Sequence, residues 1–192
     1  MRGTIRAMAA TGLLLVFAAG GVAGQVRVIL GAGGGVVVPT KSESSFGSDV
    51  KSLGYHLQLM LGIGARNSKI GVRFDGQYGS VNYEKVGTVT PKTKIFAVNG
   101  DLVLHPTNAG GVRPYLLAGP SYGHFSFRSG LTSTDETSNK VGFNAGAGLN
   151  FGQREKVWFF TEARYIYTKT HKYFPITVGV RINLSQAYQA AK

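Results

Sequence analysis

The sequence predicts an all-β fold, an eight-stranded antiparallel up-and-down β-barrel that crosses a membrane on its strands. Three observations predict it. Apolar and polar residues alternate with a period of two through most of the chain, the repeat of a strand with two unlike faces. The connections alternate between short turns and longer polar loops, as they do when one barrel end is a turn end and the other a loop end. The polar face holds glycine, asparagine, serine and few charges, whereas a water-exposed sheet carries many Lys, Glu, Gln and Thr. Composition agrees: 192 residues suit one domain, and 28 glycines with only 16% charged residues are unusual for a soluble enzyme.

The first segment reads as an address. Arg2 and Arg6 precede the apolar run Thr11–Ala19, and GGVAGQ offers small residues for cleavage after Ala23 or Gly24. That is the pattern of a secretory signal peptide over residues 1–24, too short for a comfortable membrane-spanning helix. The barrel is expected over residues 25–184, with a short tail at 185–192. No later apolar run reaches the roughly 18–20 residues of a spanning helix. A membrane form of this chain must therefore be a closed barrel, because open sheet edges cannot face hydrocarbon.

The expected strands follow in order. VRVILGAG opens the barrel, and YHLQLMLGIGAR sets Tyr55, Leu57, Leu59, Leu61 and Ile63 against His56, Gln58 and Met60. KIGVRFDGQYG sets Ile70, Val72, Phe74 and Tyr78 against Arg73, Asp75 and Gln77. KIFAVNGDLVLH and VRPYLLAGPSYG alternate more weakly. VGFNAGAGLNFG is the clearest case, with Val141, Phe143, Ala145, Ala147, Leu149 and Phe151 on one face and only Gly and Asn on the other. VWFFTEARYIY and FPITVGVRINL close the set. Short turns are expected near Arg66, His105 and Gln153, and polar loops near Thr40, Ser80, Ser129 and Lys169, the last of them modest. Aromatic girdles are expected at both ends: Tyr55, Tyr78, Tyr83, Phe125, Phe127, Tyr165, Tyr167, Tyr173 and Phe174 near the loops, Phe151, Trp158 and Phe159 near the turns.

A soluble barrel with an apolar interior would also alternate, but the small, glycine-rich polar face suits a cramped interior in which glycine leaves room for larger neighbours. Arg73, Asp75, Asp101, Arg113, Glu162, Arg164 and Arg181 all fall on that register. Facing lipid, an arginine would cost about 2–4 kcal/mol at the midplane; inside, the charges can satisfy one another. They are expected to form a buried ion network, with a conducting path as the alternative.

The segments VRPYLLAGPSYG, VGFNAGAGLNFG, FFTEARY and FPITVGVRI together resemble the small outer-membrane β-barrel family related to the OmpA transmembrane domain and the OmpX-like proteins. The resemblance spans nearly all of the chain after residue 24 and is most specific from Arg113 to Gly119 and in the last strand. It implies an eight-stranded barrel in the outer membrane of a Gram-negative-type bacterium, inserted by the barrel-assembly machinery, monomeric, with a structural or surface-interaction role in envelope integrity, adhesion or lipopolysaccharide contact. One departure stands out. The family's last strand commonly ends on an aromatic residue, and here SQAYQAAK follows Leu184.

Chemistry-bearing candidates are few. Without cysteine there is no disulfide or thiolate site, and the four histidines show no ligand spacing, so neither a metal nor a cofactor is expected. GAGGGVVV at Gly31 lacks the helix and acidic partner of a nucleotide fingerprint. The net charge of +12, or +10 without Arg2 and Arg6, fits nucleic acid in general, but export argues against that partner, and none is expected. Lys41, Lys85, Lys92, Lys169 and Lys172 are instead expected at the outer rim, where they can meet lipopolysaccharide phosphates. His124 and Ser126 share a strand face with Asp135 or Glu136 nearby, the ingredients of an activated serine; the pair is similar to the His-x-Ser of outer-membrane lipid A deacylases, and that resemblance implies the alternative function, a lipid A esterase or deacylase. A narrow pore is the further alternative.

Overall fold

A computed structural model describes residues 26–40, 53–65, 68–82, 92–107, 111–128, 136–152, 156–168 and 171–185. The expected signal peptide, Tyr83, Lys41, Lys85, Lys169 and most of the C-terminal tail lie outside these residues.

The described residues form eight strands: β1 (Val26–Pro39), β2 (Gly54–Ala65), β3 (Ile70–Asn82), β4 (Lys92–Leu104), β5 (Val112–Arg128), β6 (Glu136–Phe151), β7 (Val157–Thr168) and β8 (Lys172–Asn183). Each pairs antiparallel with the next, and β8 returns to β1 to make a closed barrel. The closing seam runs from Ile29 opposite Asn183 to Pro39 opposite Tyr173. Closure leaves no open edge, so the backbone can be satisfied without water. At the turn end, Gly152 takes a φ of 75° as the chain leaves β6, a conformation that side chains other than glycine's rarely adopt.

The strands outrun the apolar segments that signal them. β5 continues to Arg128, and β6 begins at Glu136, inside what reads in the sequence as a polar loop. Ladder pairing uses only backbone groups, so the wall can rise beyond the stretch whose side chains must meet lipid.

Alternation decides which side each residue meets. The outward residues are apolar and unusually bare, from Leu61 at 37% exposure to Val141 at 74%. On a water-soluble protein so large a continuous apolar surface would be an aggregation hazard. In lipid it is the required surface. Facing inward are His56, Gln58, Arg73, Asp75, Asn99, Asp101, Asn144, Asn150, Glu162, Arg164 and Thr177, all buried.

The same parity corrects the expected girdles. Tyr55, Tyr78, Tyr167 and Phe174 at the loop end, with Phe151 and Phe159 at the turn end, lie outward. Phe125, Trp158 and Tyr173 do not; they are buried in the interior. Neighbours along a strand point to opposite faces, so Trp158 beside Phe159, and Tyr173 beside Phe174, cannot both meet lipid. Phe125 shares its register with Tyr115 and Leu117, both buried.

Candidate functional site

Three layers fill the interior. At the loop end, Val37, Val81, Ile95, Phe125, Ile166 and Tyr173 form an apolar cluster. The His171 ring, in the loop before β8, stacks on Phe125 at 4.2 Å and 6°. Burial first, and then the charge of Lys140, lowers the pKa of that imidazole, which suits a neutral ring against an apolar plug.

The middle layer is ionic. β3 contributes Arg73 and Asp75, β4 Asp101, β7 Glu162 and Arg164, and β8 Arg181. Arg73 clamps Glu162 with both terminal nitrogens, at 2.7 and 3.1 Å, and reaches Asp101 at 3.4 Å. Arg164 does the same to Asp75, at 2.7 and 3.3 Å, while also donating to Asp101 at 3.1 Å and to Glu162 at 2.5 Å. Neutral groups fill the remaining valences. Asn99 donates to Asp75 and Asn144 to Asp101. The Tyr115 hydroxyl donates to Glu162 at 2.6 Å and accepts from Arg181 at 2.8 Å, and Arg181 also reaches Asn150 at 2.7 Å. Three guanidinium groups thus face three carboxylates. Two-pronged arginine–carboxylate pairs are among the strongest polar contacts available in a dry interior.

Glycine on β6 makes this layer possible. Gly146 stands opposite Arg164, and Gly148 stands between Tyr115 and Glu162. A Cβ at position 146 would lie 2.8 Å from the Arg164 Cγ, and one at position 148 would overlap the Tyr115 ring. The missing side chains of one strand are the volume occupied by the large ones of its neighbours.

The third layer lies at the turn end, where a cavity of about 300 Å³ is lined by Arg27, Arg113, Arg181, His105 and Trp158 among others. Arg113 therefore belongs to the wall of this cavity, while the other six charged residues expected in the network meet in the middle layer. The Arg27 guanidinium lies 4.9 Å over the Trp158 ring. Tyr115, Asn144, Asn150 and Trp158 were not among the expected site residues. Inward parity on β5, β6 and β7 carries the signal for all four.

His124 and Ser126 lie on the outward register of β5, at its loop end. The His124 Nδ1, the nitrogen that a catalytic carboxylate would hold, is 2.6 Å from the Asn139 side-chain oxygen. Glu136 is the first residue of β6, opposite Phe127, and its side chain lies outside the described atoms, as does Asp135. Of the rim lysines, Lys92 and Lys172 are exposed, and Lys172 sits 5.4 Å over the Tyr167 ring. Among the described residues, no group of three His, Asp or Glu is placed to hold a metal ion.

Residues 9–183 match the family model described as the outer membrane protein beta-barrel domain. No curated protein sequence matches the chain. Solved structures do. Neisserial surface protein A is similar at 19% identity, covering 82% of this chain and 96% of its own, with a TM-score of 0.57. Ail, the attachment invasion locus protein of Yersinia pestis, crystallised with the heparin analogue sucrose octasulfate, is similar at 18% identity, covering 82% and 97%, with a TM-score of 0.56. OprG from Pseudomonas aeruginosa follows at 16% identity, 83% and 93% coverage, and a TM-score of 0.54. At these identities the likeness is one of fold.

Proposed function

The chain belongs to the outer membrane protein beta-barrel domain family, and on that premise we propose that it is an exported, non-catalytic, monomeric barrel with a structural and surface-interaction role. Residues 1–24 direct export, the barrel-assembly machinery inserts the remainder, and the loop end faces outward, as loop-length asymmetry dictates in such barrels. The observation that carries this reading is the pairing of a bare apolar exterior with an interior filled by an ionic layer and an apolar plug. The first supports a lipid surround, and the second speaks against conduction.

The engagement of His124 by an amide rather than a carboxylate weighs against the esterase reading. At the rim, the exposure of Lys92, Lys94 and Lys172 supports contact with lipopolysaccharide phosphates, and Lys41, Lys85 and Lys169 are assigned the same role. Ail's complex with a heparin analogue is a property of that protein, and it makes a sulfated glycan a sensible second probe here.

Membrane fractionation with heat-modifiable gel migration tests the assignment. A soluble protein showing no shift between unheated and boiled samples would overturn it. Co-purification of lipopolysaccharide with the wild type, and its loss when Lys92, Lys169 and Lys172 become alanine, would support the surface role; undiminished co-purification would remove it.

A further inference from the structure

Among the described residues, six of the eight ladders run unbroken along their paired length. The other two are interrupted. Between β4 and β5 the pairing runs from Lys92–Arg128 to Asn99–Ser121 and resumes at Leu102–Ala118, so Gly100 opposite Pro120 and Asp101 opposite Gly119 lie in a gap. Between β7 and β8 it runs from Val157–Ile182 to Ala163–Ile176 and resumes at Ile166–Tyr173. Here the gap holds Arg164 opposite Pro175 and Tyr165 opposite Phe174. Each gap contains a proline, which has no amide hydrogen to give to a ladder. The loss is one-sided, because Pro120 keeps its register with Phe143 of β6 and Pro175 keeps its register with Val37 of β1.

The two interrupted seams bound a panel of three strands, β5, β6 and β7, whose internal ladders are whole. In a wall that faces lipid, water cannot replace a missing ladder bond, so side chains hold these seams. On the outer face, the Phe74 ring stands 3.5 Å from where a Cβ at Gly100 would lie, beside the first gap. The rings of Tyr165 and Phe174, 4.8 Å apart, cover the second. Inside, the ionic layer braces the panel crosswise. Glu162 and Arg164 on β7 reach past the far seam to Arg73, Asp75 and Asp101 on β3 and β4. Tyr115 on β5 and Asn150 on β6 reach the other way, to Arg181 on β8.

We infer that β5, β6 and β7 form a movable panel of the barrel wall, latched by the ionic layer, whose opening along the two proline seams admits water sideways to Asp101 and Arg164. Proteins open locally in contiguous cooperative units, at free energies below that of global unfolding. A wall with six whole ladders and two broken ones parts where its backbone bonds are fewest. The crosswise braces make the two seams one device. The β7 charges secure the seam beside β5, and the Tyr115 hydroxyl secures the seam beside β7, so parting either seam loads the contacts that hold the other.

The chain has no cysteine, so an introduced pair forms a single defined disulfide. Val98 lies directly opposite Tyr122 across the first seam, and Ala163 directly opposite Ile176 across the second, all four on the outward face. Opposite residues of an antiparallel pair are within disulfide reach. Two variants, Val98→Cys/Tyr122→Cys and Ala163→Cys/Ile176→Cys, are each refolded as the full chain in uncharged detergent, and heat-modifiable migration confirms their fold. Amide hydrogen exchange is then followed by mass spectrometry, oxidised and reduced. In the wild type, amides at 99–102, 118–121, 163–166 and 173–176 should exchange at least tenfold faster than those at 58–61 and 74–77, where the β2–β3 ladder is whole. Either disulfide should slow exchange at both seams at least tenfold, and reduction should restore it. Seams that exchange no faster than the β2–β3 ladder, or a disulfide that protects its own seam alone, would overturn the inference.

Discussion

Replacing Glu162 with glutamine removes one charge from the ionic layer while keeping the side-chain shape. Among the described residues Glu162 accepts four hydrogen bonds: two from Arg73, one from Arg164 and one from the Tyr115 hydroxyl. An amide keeps one oxygen and turns the other into a donor, so whichever way it is oriented two of the four donors lose their acceptor. Hydrogen bonds to charged groups contribute about 1.5–3 kcal/mol each, which places the loss at about 3–6 kcal/mol. Charge counting leads to a similar figure. Three guanidinium groups would face two carboxylates, and an uncompensated buried charge costs about 3–5 kcal/mol. Urea unfolding in lipid vesicles, followed by gel migration, should show the Glu162→Gln barrel destabilised by that amount. The double variant Arg73→Met/Glu162→Met returns the layer to two charges of each sign and should recover most of the loss, since apolar replacement of a buried pair is often near neutral. A single variant within about 1 kcal/mol of wild type, or a double variant worse than the single, would refute the reasoning.

Three other perturbations have defined outcomes. Gly119→Ala drives a Cβ into the Gly100 carbonyl, whereas at Gly62 the nearest atom to a new Cβ is 3.5 Å away; the first should cost about 1–3 kcal/mol by overpacking and the second very little, compared by urea midpoint. Leu59, at 70% exposure on the outward face of β2, becomes a lipid-facing charge in Leu59→Arg, which should lose about 2–4 kcal/mol and slow insertion into vesicles, while Leu59→Val should not. His105 has a folded-state pKa of about 4 against an ordinary 6.5, so between these values the unfolded chain binds more protons and stability falls as pH drops through that window. Measured from pH 7 down to about 4.5, the wild type should therefore lose more stability than His105→Gln; equal losses would assign the acid sensitivity elsewhere.

Much of this architecture is legible in the sequence, because period-two alternation states both that a strand exists and which way it faces. VGFNAGAGLNFG declares its two faces residue by residue, and the six charges of the middle layer are found by parity alone. What alternation cannot supply is the distance across the barrel. Arg73 meets Glu162 from 89 residues away, and that match depends on strand tilt and stagger, which no local pattern encodes. Parity likewise turns Tyr115 inward but does not reveal its partners, which lie on β7 and β8. The misplaced aromatics were legible in principle: Trp158 and Tyr173 each abut another aromatic, and only one of two adjacent residues can face lipid. The true strand ends were not, because polar residues pair into a ladder as readily as apolar ones.

The seam between β1 and β8 has a bearing on assembly. Ser185 clasps it from beyond the last strand, accepting from the Val28 amide at 3.0 Å and donating to the Val26 carbonyl at 2.9 Å. These contacts join residues more than 150 positions apart, the separation for which ring-closure entropy is greatest and formation slowest. Across that gap also lie the partners of the ionic layer, with Arg73 on β3 and Glu162 and Arg181 on β7 and β8. Until the ring shuts, those charges remain hydrated. Joining the two ends of the chain and drying its interior are therefore one event, and the barrier to reopening includes returning water to every charge in the layer. Such a barrel owes its persistence to slow opening as much as to equilibrium stability.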